Sequence, residues 1–385
     1  MMEKIRILMV LGNTRRGGTQ AFIMNVLRNI DRERFQIDFA INNDFPGGWG
    51  PDMRALGSEI HIFPVFKVYN WMSFKRWWEV FLAEHHYDIV HGHSTNSAGI
   101  YLNVAKQHGC RTIAHIHSTG FRGNIIERLT KRVFSRMTKK QADYWFACSE
   151  SAAHLLYGED YKSYPRYYEM PNAIDVKRFI FNEETRKDIR KELGVKEQEF
   201  LCGHAGTFSV PKNHTFLLDV FYEICKLNDN ARLLLIGEGI LKEDVVEKAK
   251  RLGILDRIIF RQNLPNVNEH MMAMDLFIFP SLFEGFGMVS LEAQATGLNI
   301  VQSDTVPMDT HLTECVLSLP LDEAPAKWAE KAMAMPQRNR KEVNKGIMNT
   351  KYNLSNTLAL ISKLYDEMKT NGFIYEKNRN SSCNI

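Results

Sequence analysis

Long apolar runs are missing from this 385-residue chain: no stretch is long enough to span a bilayer, which excludes a helical membrane protein. The first apolar run, Ile5 to Leu11, is too short for a signal-peptide core and is followed by Arg15 and Arg16. The six cysteines, at 110, 148, 202, 225, 315 and 383, are scattered with no pair at metal-ligand or redox spacing, so a reduced cytoplasmic setting is expected. No Asp-x-Asp string occurs, which removes the commonest acidic pair for holding a metal beside a diphosphate. The glycine loop from Gly12 to Gly18 lacks the G-x-G-x-x-G spacing, and Asp38 falls inside the next strand, so the dinucleotide fingerprint is absent. Positive charge is present without a compact nucleic-acid motif, and no nucleic-acid partner is expected.

What remains is a chain with 44% hydrophobic residues and a net charge of +4, enough for two domains with substantial cores. The charge is uneven: the first 171 residues carry a net +6 and the remainder a net −2. Lys4 to Leu11 reads as a buried strand, then comes the glycine loop with Gly17 and Gly18, and then a helix to about Ile30. Further strands are expected at Phe35 to Ile41, Glu59 to Phe63, Asp88 to Gly92, Thr112 to Ile116 and Tyr144 to Cys148. Helical segments lie between them, the alternation of a parallel, doubly wound sheet. Histidines mark two strand ends, His91 with His93 and His115 with His117; ligands, a general base or plain polar loop residues all fit that placement. Residues 121–141 form a basic amphipathic pattern suited either to an anionic membrane surface or to an ordinary helix with its apolar stripe on the core. The run from Trp71 to Trp78 mixes aromatic and basic residues and fits the same surface or the core.

The stretch around which the second half is organised runs from Leu276 to Gly297. An aromatic-rich strand, Leu276 to Phe279, leads through a loop holding Glu284, Gly285, Phe286 and Gly287 into a helix that carries Glu292 and stops at Gly297. In open parallel sheets, ligands sit beyond the carboxyl ends of strands, so both glutamates can face one ligand there. Uncovered backbone amides at the glycines and the helix dipole favour phosphate. A carboxylate such as Glu292 can accept two hydrogen bonds from a vicinal diol such as a ribose. Another strand begins at Phe200 and ends in Gly203 to His214, where Lys212 supplies a point charge for a diphosphate. Leu233 to Gly239 is a third strand with a glycine turn holding Glu238. Near the end, Leu358, Ile361, Tyr365 and Met368 form an apolar helical stripe.

The aromatic strand, Glu284-Gly285-Phe286-Gly287 and Glu292-Ala293-Gln294-Ala295-Thr296-Gly297, with seven residues between the two glutamates, resemble the signature of family 4 glycosyltransferases, above all the bacterial enzymes of capsular and extracellular polysaccharide synthesis. The likeness covers nearly the whole chain. It implies the α/β GT-B fold: two facing Rossmann-like domains with a cleft between them, acceptor-binding over 1–175 and nucleotide-sugar-binding over 176–350. A helix over 351–370 would return to the first domain, followed by a polar tail over 371–385. It also implies retaining, metal-independent transfer of a hexosyl unit from a nucleotide sugar, expected to be a UDP-sugar, onto a saccharide hydroxyl, expected to be lipid-linked. No cofactor is expected. Glu284, His117 and Lys212 take the catalytic positions. Gly17, Gly18, Thr207, Glu238, Gly285, Phe286, Gly287 and Glu292 take the donor-binding ones. The resemblance places the protein in the cytoplasm, with the 121–141 surface fitting the inner face of the cell membrane. One departure stands out: most members have an arginine on the diphosphate where this chain has Thr207, leaving Arg15 or Arg16 as candidate substitutes. A non-catalytic nucleotide-sugar-binding partner, a GT-B epimerase and a phosphorylase are the rival readings.

Overall fold

The computed structural model describes residues 3–94, 97–117, 137–262, 264 and 266–380, with side chains through Thr370. The chain divides into two compact units, with breaks at Ala173/Ile174 and Asn353/Leu354.

The first unit is a seven-stranded parallel sheet: β1 (Ile5–Asn13), β2 (Phe35–Asn43), β3 (Ile60–Ile62), β4 (Ile89–Gly92), β5 (Arg111–Ile116), β6 (Tyr144–Ala147) and β7 (Tyr167–Glu169), in the order β3-β2-β1-β4-β5-β6-β7. Its helices are α1 (Gly18–Asn29), α2 (Gly50–Ala55), α3 (Trp71–Glu84), α4 (Ala98–Gln107) and α5 (Glu150–Tyr157). From Ile7 to Leu11, β1 is an unbroken apolar run because both its faces are covered. Side chains alternate across a strand, so Leu8 and Val10 join one core with Phe74, Trp78 and Tyr101, while Ile7, Met9 and Leu11 join the other with Phe22, Ile23 and Val26. Each such fully buried large side chain contributes about 1.5–3 kcal/mol.

The second unit is a six-stranded parallel sheet: β8 (Phe200–Ala205), β9 (Ala231–Ile236), β10 (Ile258–Arg261), β11 (Leu276–Phe279), β12 (Asn299–Ser303) and β13 (Val316–Leu319), in the order β10-β9-β8-β11-β12-β13. Helices α6 (Glu183–Glu192), α7 (His214–Leu227), α8 (Lys242–Arg251), α9 (Val267–Ala273), α10 (Met288–Ala295), α11 (Pro325–Met333) and α12 (Arg340–Met348) accompany it. The same alternation sends Phe277 and Phe279 to one core and Leu276 and Ile278 to the other. Three arginines close the end of α9. Arg186, Arg190 and Arg340 all donate to carbonyls between Met271 and Met274, satisfying groups that the helix leaves without partners.

The last helix, α13 (Leu354–Asn380), belongs to the first unit, where Ile361, Leu364, Tyr365 and Met368 enter the core beside β1. Its backbone continues as helix past residue 370. Two edge strands, β7 and β13, were not expected from the sequence. Each has only three or four residues, and neither is fully buried, so the apolar run that marks a central strand is missing. Of the run from Trp71 to Trp78, Phe74 and Trp78 are buried in the core, while Trp71 and Met72 remain exposed. The 121–141 pattern lies outside the described residues up to 136.

Candidate active site

In the second unit the strand order reverses between β8 and β11, since chain order runs outward from β8 on one side and from β11 on the other. Loops leaving two such strands diverge to opposite faces and open a crevice between them, the usual ligand position in this class of sheet. The two loops here are 206–213 and 280–287. They are tied together by Leu282 N–H donating to Pro211 O at 2.8 Å. The loop after β9 joins them: Phe208 N–H donates to Glu238 O at 2.9 Å, and Gly206 N–H to Ile236 O at 2.9 Å. Gly237 and Gly239 have φ of 147° and 157°, and a Cβ on either would lie 2.1 Å from Gly206 O or 2.3 Å from Phe208 O. Only glycine permits that backbone-on-backbone approach.

Lys212 ends a short 3-10 turn, and Asn213 follows in the left-handed conformation at φ 51°, its side chain capping α7 by accepting from Phe216 N. This turn aims Lys212 across the crevice. Its Nζ donates to Glu284 Oε1 at 2.6 Å and stands 4.9 Å from the centre of the Phe279 ring. Ser281 Oγ donates to the same Glu284 oxygen at 2.7 Å, and Ser281 is itself buried, with Ser303 and Thr305 hydroxyls on its carbonyl. Glu284 is therefore held by a cation and a hydroxyl.

Glu292 lies in α10. Its side chain keeps some accessible surface, yet the protein around it removes enough solvent to push its carboxyl up to about 7, with Arg178 and Lys212 pulling the other way. Lys212 thus acts on both glutamates. Gly287 caps α10 at φ 85°, and no atom lies within 4 Å of where a Gly285 side chain would start. Phe286, in contrast, turns its ring inward against Tyr352 at 5.3 Å, so only its backbone faces the loop. Thr207 is exposed on the β8 loop, with its carbonyl accepting from Ser209 Oγ. Glu238 is exposed on the β9 loop.

The first unit has its own reversal, between β1 and β4. Gly17 and Gly18 stand at the start of α1, with no acidic residue in its first turn. The loop's Thr14 is buried, donating to Asp44 Oδ1 and accepting from Phe45 N–H. Arg16 is paired with Asp52 and lies over Trp49, and Arg15 lies over Phe45. Beside this loop, β4 and β5 gather four histidines. His91 and His115 are fully buried inside the strands, and His93 and His117 follow them half-buried. His117 Nδ1 bonds Asn172 Oδ1 at 2.6 Å, and its Nε2 bonds His93 Nδ1 at 2.8 Å. Burial pulls His117 down to about 4 and the other three well below the usual histidine range, so all four rings are neutral at pH 7.

The sequence-derived positions therefore fall into two groups. Lys212, Glu284, Glu292, Thr207, Glu238 and Gly285 to Gly287 share one crevice in the second unit, whereas His117, Gly17 and Gly18 belong to the first. Ser281 and Arg178 were not expected to take part. Ser281 offered no signal beyond its place after the strand, and Arg178 sits 114 positions from Glu292 in sequence.

Sequence comparison converges on the same two units. The description Glycosyltransferase Family 4 matches residues 16–178, and Glycosyl transferases group 1 matches residues 185–313. The chain belongs to the family 4 glycosyltransferases. Among its relatives is EpsF of Bacillus subtilis (strain 168), named as a glycosyltransferase, 28% identical over 370 residues that span 94% of this chain and 96% of that one. A second is the UDP-Gal:alpha-D-GlcNAc-diphosphoundecaprenol alpha-1,3-galactosyltransferase of Escherichia coli, 27% identical over 58% of this chain and 59% of that one. Among solved structures, Anabaena HepE in complex with UDP and glucose superposes with a TM-score of 0.67 at 17% identity, covering 97% of this chain and 99% of that one. That likeness is one of fold, and the fold of this glycosyltransferase is GT-B.

Proposed function

We propose that this glycosyltransferase moves a hexosyl unit from a UDP-sugar to a saccharide hydroxyl on a lipid-linked acceptor, with retention of configuration, in polysaccharide synthesis. The observation that carries the reading is the Lys212–Glu284 ion pair at 2.6 Å in a crevice that also holds Glu292 and the open amides at Gly285 to Gly287. A departing diphosphate competes with Glu284 for Lys212 and takes further stabilisation from the loop amides and the start of α10. Glu292 holds the ribose diol. Glu284 contacts the donor sugar and steadies positive charge at its anomeric carbon. Nothing in the sequence marks a partner nucleophile of the retaining-glycosidase kind, so departure and attack are assigned to one face. No divalent metal takes part at the diphosphate. The names of the Escherichia coli relative and the Anabaena neighbour support a uridine nucleotide and, for the former, a lipid diphosphate acceptor.

No helix among the described residues is long and apolar enough to cross a membrane. Membrane contact is instead assigned to the turn before α3 and the first turn of α3 itself, where Val68, Tyr69, Trp71 and Met72 are all at least 49% exposed beside Lys67 and Arg76. Aromatic and basic residues exposed together suit an anionic interface. Sedimentation with phosphatidylglycerol vesicles tests this: Trp71→Ser with Met72→Ser should leave the protein in the supernatant. Unchanged sedimentation would remove the turn as a contact.

The primary test follows release of nucleoside diphosphate from a panel of UDP-, GDP- and ADP-sugars. It is run in magnesium- and manganese-free buffer, with and without polysaccharide-producing membranes, with Glu284→Ala as control. Acceptor-dependent release from a UDP-sugar, lost in the variant, is the expected result. Donor binding without release under any condition would favour the non-catalytic reading, for which Thr207 in place of the family arginine is the motive.

A further inference from the structure

Of the four histidines of the first unit, His117 is the one that the resemblance places at a catalytic position, and His91, His93 and His115 have no assigned part in the transfer. One ring nitrogen from each of His91, His93 and His115 lies within 4.8 Å of the others. We propose that these three residues form a binding site for a borderline transition-metal cation, zinc(II) by chemical class.

The partners of the other ring nitrogens fix the tautomers. His115 Nε2 lies 3.4 Å from the Met170 carbonyl, which can only accept, so Nε2 carries the proton and Nδ1 a lone pair. His117 Nδ1 donates to Asn172 Oδ1, so its Nε2 accepts from His93 Nδ1–H, and His93 Nε2 is left as a lone pair. That nitrogen is buried and has no hydrogen-bond partner among the described residues. His91 Nδ1 meets the Tyr365 hydroxyl at 2.8 Å, a partner able to accept an N–H and release Nε2. Each ring thereby has one nitrogen held by a partner outside the trio and the other left as a lone pair. Metal-binding histidines have this construction, because the outer bond fixes the tautomer and raises the basicity of the ligating nitrogen.

Spacing and donor type agree. His91 Nε2 and His115 Nδ1 stand 3.2 Å apart. Two nitrogens bound at about 2.0–2.1 Å to one tetrahedral ion lie roughly 3.3 Å apart. Imidazole suits zinc, copper, nickel and cobalt and not magnesium or calcium, which want oxygen. A simple hydrogen bond between His91 and His115 would account for their contact, but it leaves the buried His93 Nε2 without a partner among the described residues. Three neutral ligands leave the ion its full charge and one open position, which an oxygen donor would take. Such an ion lies in the first unit. The proposal stands or falls without reference to the transferase reading.

Cobalt(II) is the probe. The full-length protein, stripped with a chelator and desalted, is titrated with cobalt and followed by visible absorption. About one equivalent should bind with the intense bands of a four-coordinate ion, and added zinc should displace it. His93→Gln, a change at the half-buried member of the cluster, should weaken binding at least about tenfold while circular dichroism and thermal midpoint stay unchanged. The exposed His108→Gln is the control and should bind as wild type. Absence of stoichiometric binding by the folded wild-type protein, or equal binding by His93→Gln, would overturn the site.

Discussion

The two units share a topology and differ in what they place at its switch point. Both sheets reverse between the first strand and the fourth, at β1/β4 and β8/β11. At the second, a lysine and two carboxylates interact across the crevice, one carboxylate paired and the other pushed up by burial. At the first, four imidazoles are packed together and neutral, with ring centres of neighbouring histidines 4.0–5.3 Å apart. The strand order sets where a ligand can sit, and the residues at the strand ends set which ligand it is. One crevice suits an anion that departs. The other suits a cation or a neutral donor that stays.

The largest effect expected from this contrast is on turnover. Lys212→Ala should lower the rate of donor cleavage by about 10²–10³-fold, the usual loss when a group that stabilises developing charge is removed. Comparable activity in steady-state assays would show that the ion pair is structural. Glu284→Gln combined with Lys212→Ala should cost little more than the worse single change, because the two act as a unit.

Next is a pH effect on stability. The Glu292 carboxyl, raised to about 7, keeps its proton in the folded protein over a range where the unfolded chain has lost it. Its contribution to stability is therefore fully present below about 4.5 and is lost as pH rises through 7. Glu292→Gln should match wild type near pH 4.5 and exceed it at pH 8, by on the order of 1–3 kcal/mol. Denaturant midpoints across that range decide the matter. A constant difference would mean that burial does not govern this group.

The smallest effect belongs to the neutral crevice. Tyr365→Phe removes the hydroxyl at 2.8 Å from His91 and should cost about 1 kcal/mol in urea unfolding. Donor turnover should stay within about twofold. A large loss of turnover would make the histidine cluster part of the transfer site and blur the contrast between the units.

Central strands such as β1, β9 and β11 were legible because a strand covered on both faces must be apolar throughout. The edge strands β7 and β13 carry no such requirement and left no mark. Lys212, Glu284 and Glu292 could be picked out from glycine loops and helix starts, but not their mutual geometry. Lys212 and Glu284 meet across 72 positions, and that contact exists only because β8 and β11 are neighbours in the sheet. Phe286 sits among ligand-facing glycines in sequence, yet its ring finds more apolar contact against Tyr352 than over the loop.

The histidine cluster divides in the same way. That histidines end two strands was visible in the chain itself, since alternation and burial are local properties of each segment. That β4 and β5 lie side by side, that Asn172 sets the tautomer of His117, and that Tyr365 arrives from 274 positions away to hold His91 were decided by the folded sheet and the last helix. Residue type sets what each group can do chemically. Only packing across long sequence separations decides which groups meet, because the energy of each contact depends on neighbours that the local sequence does not contain.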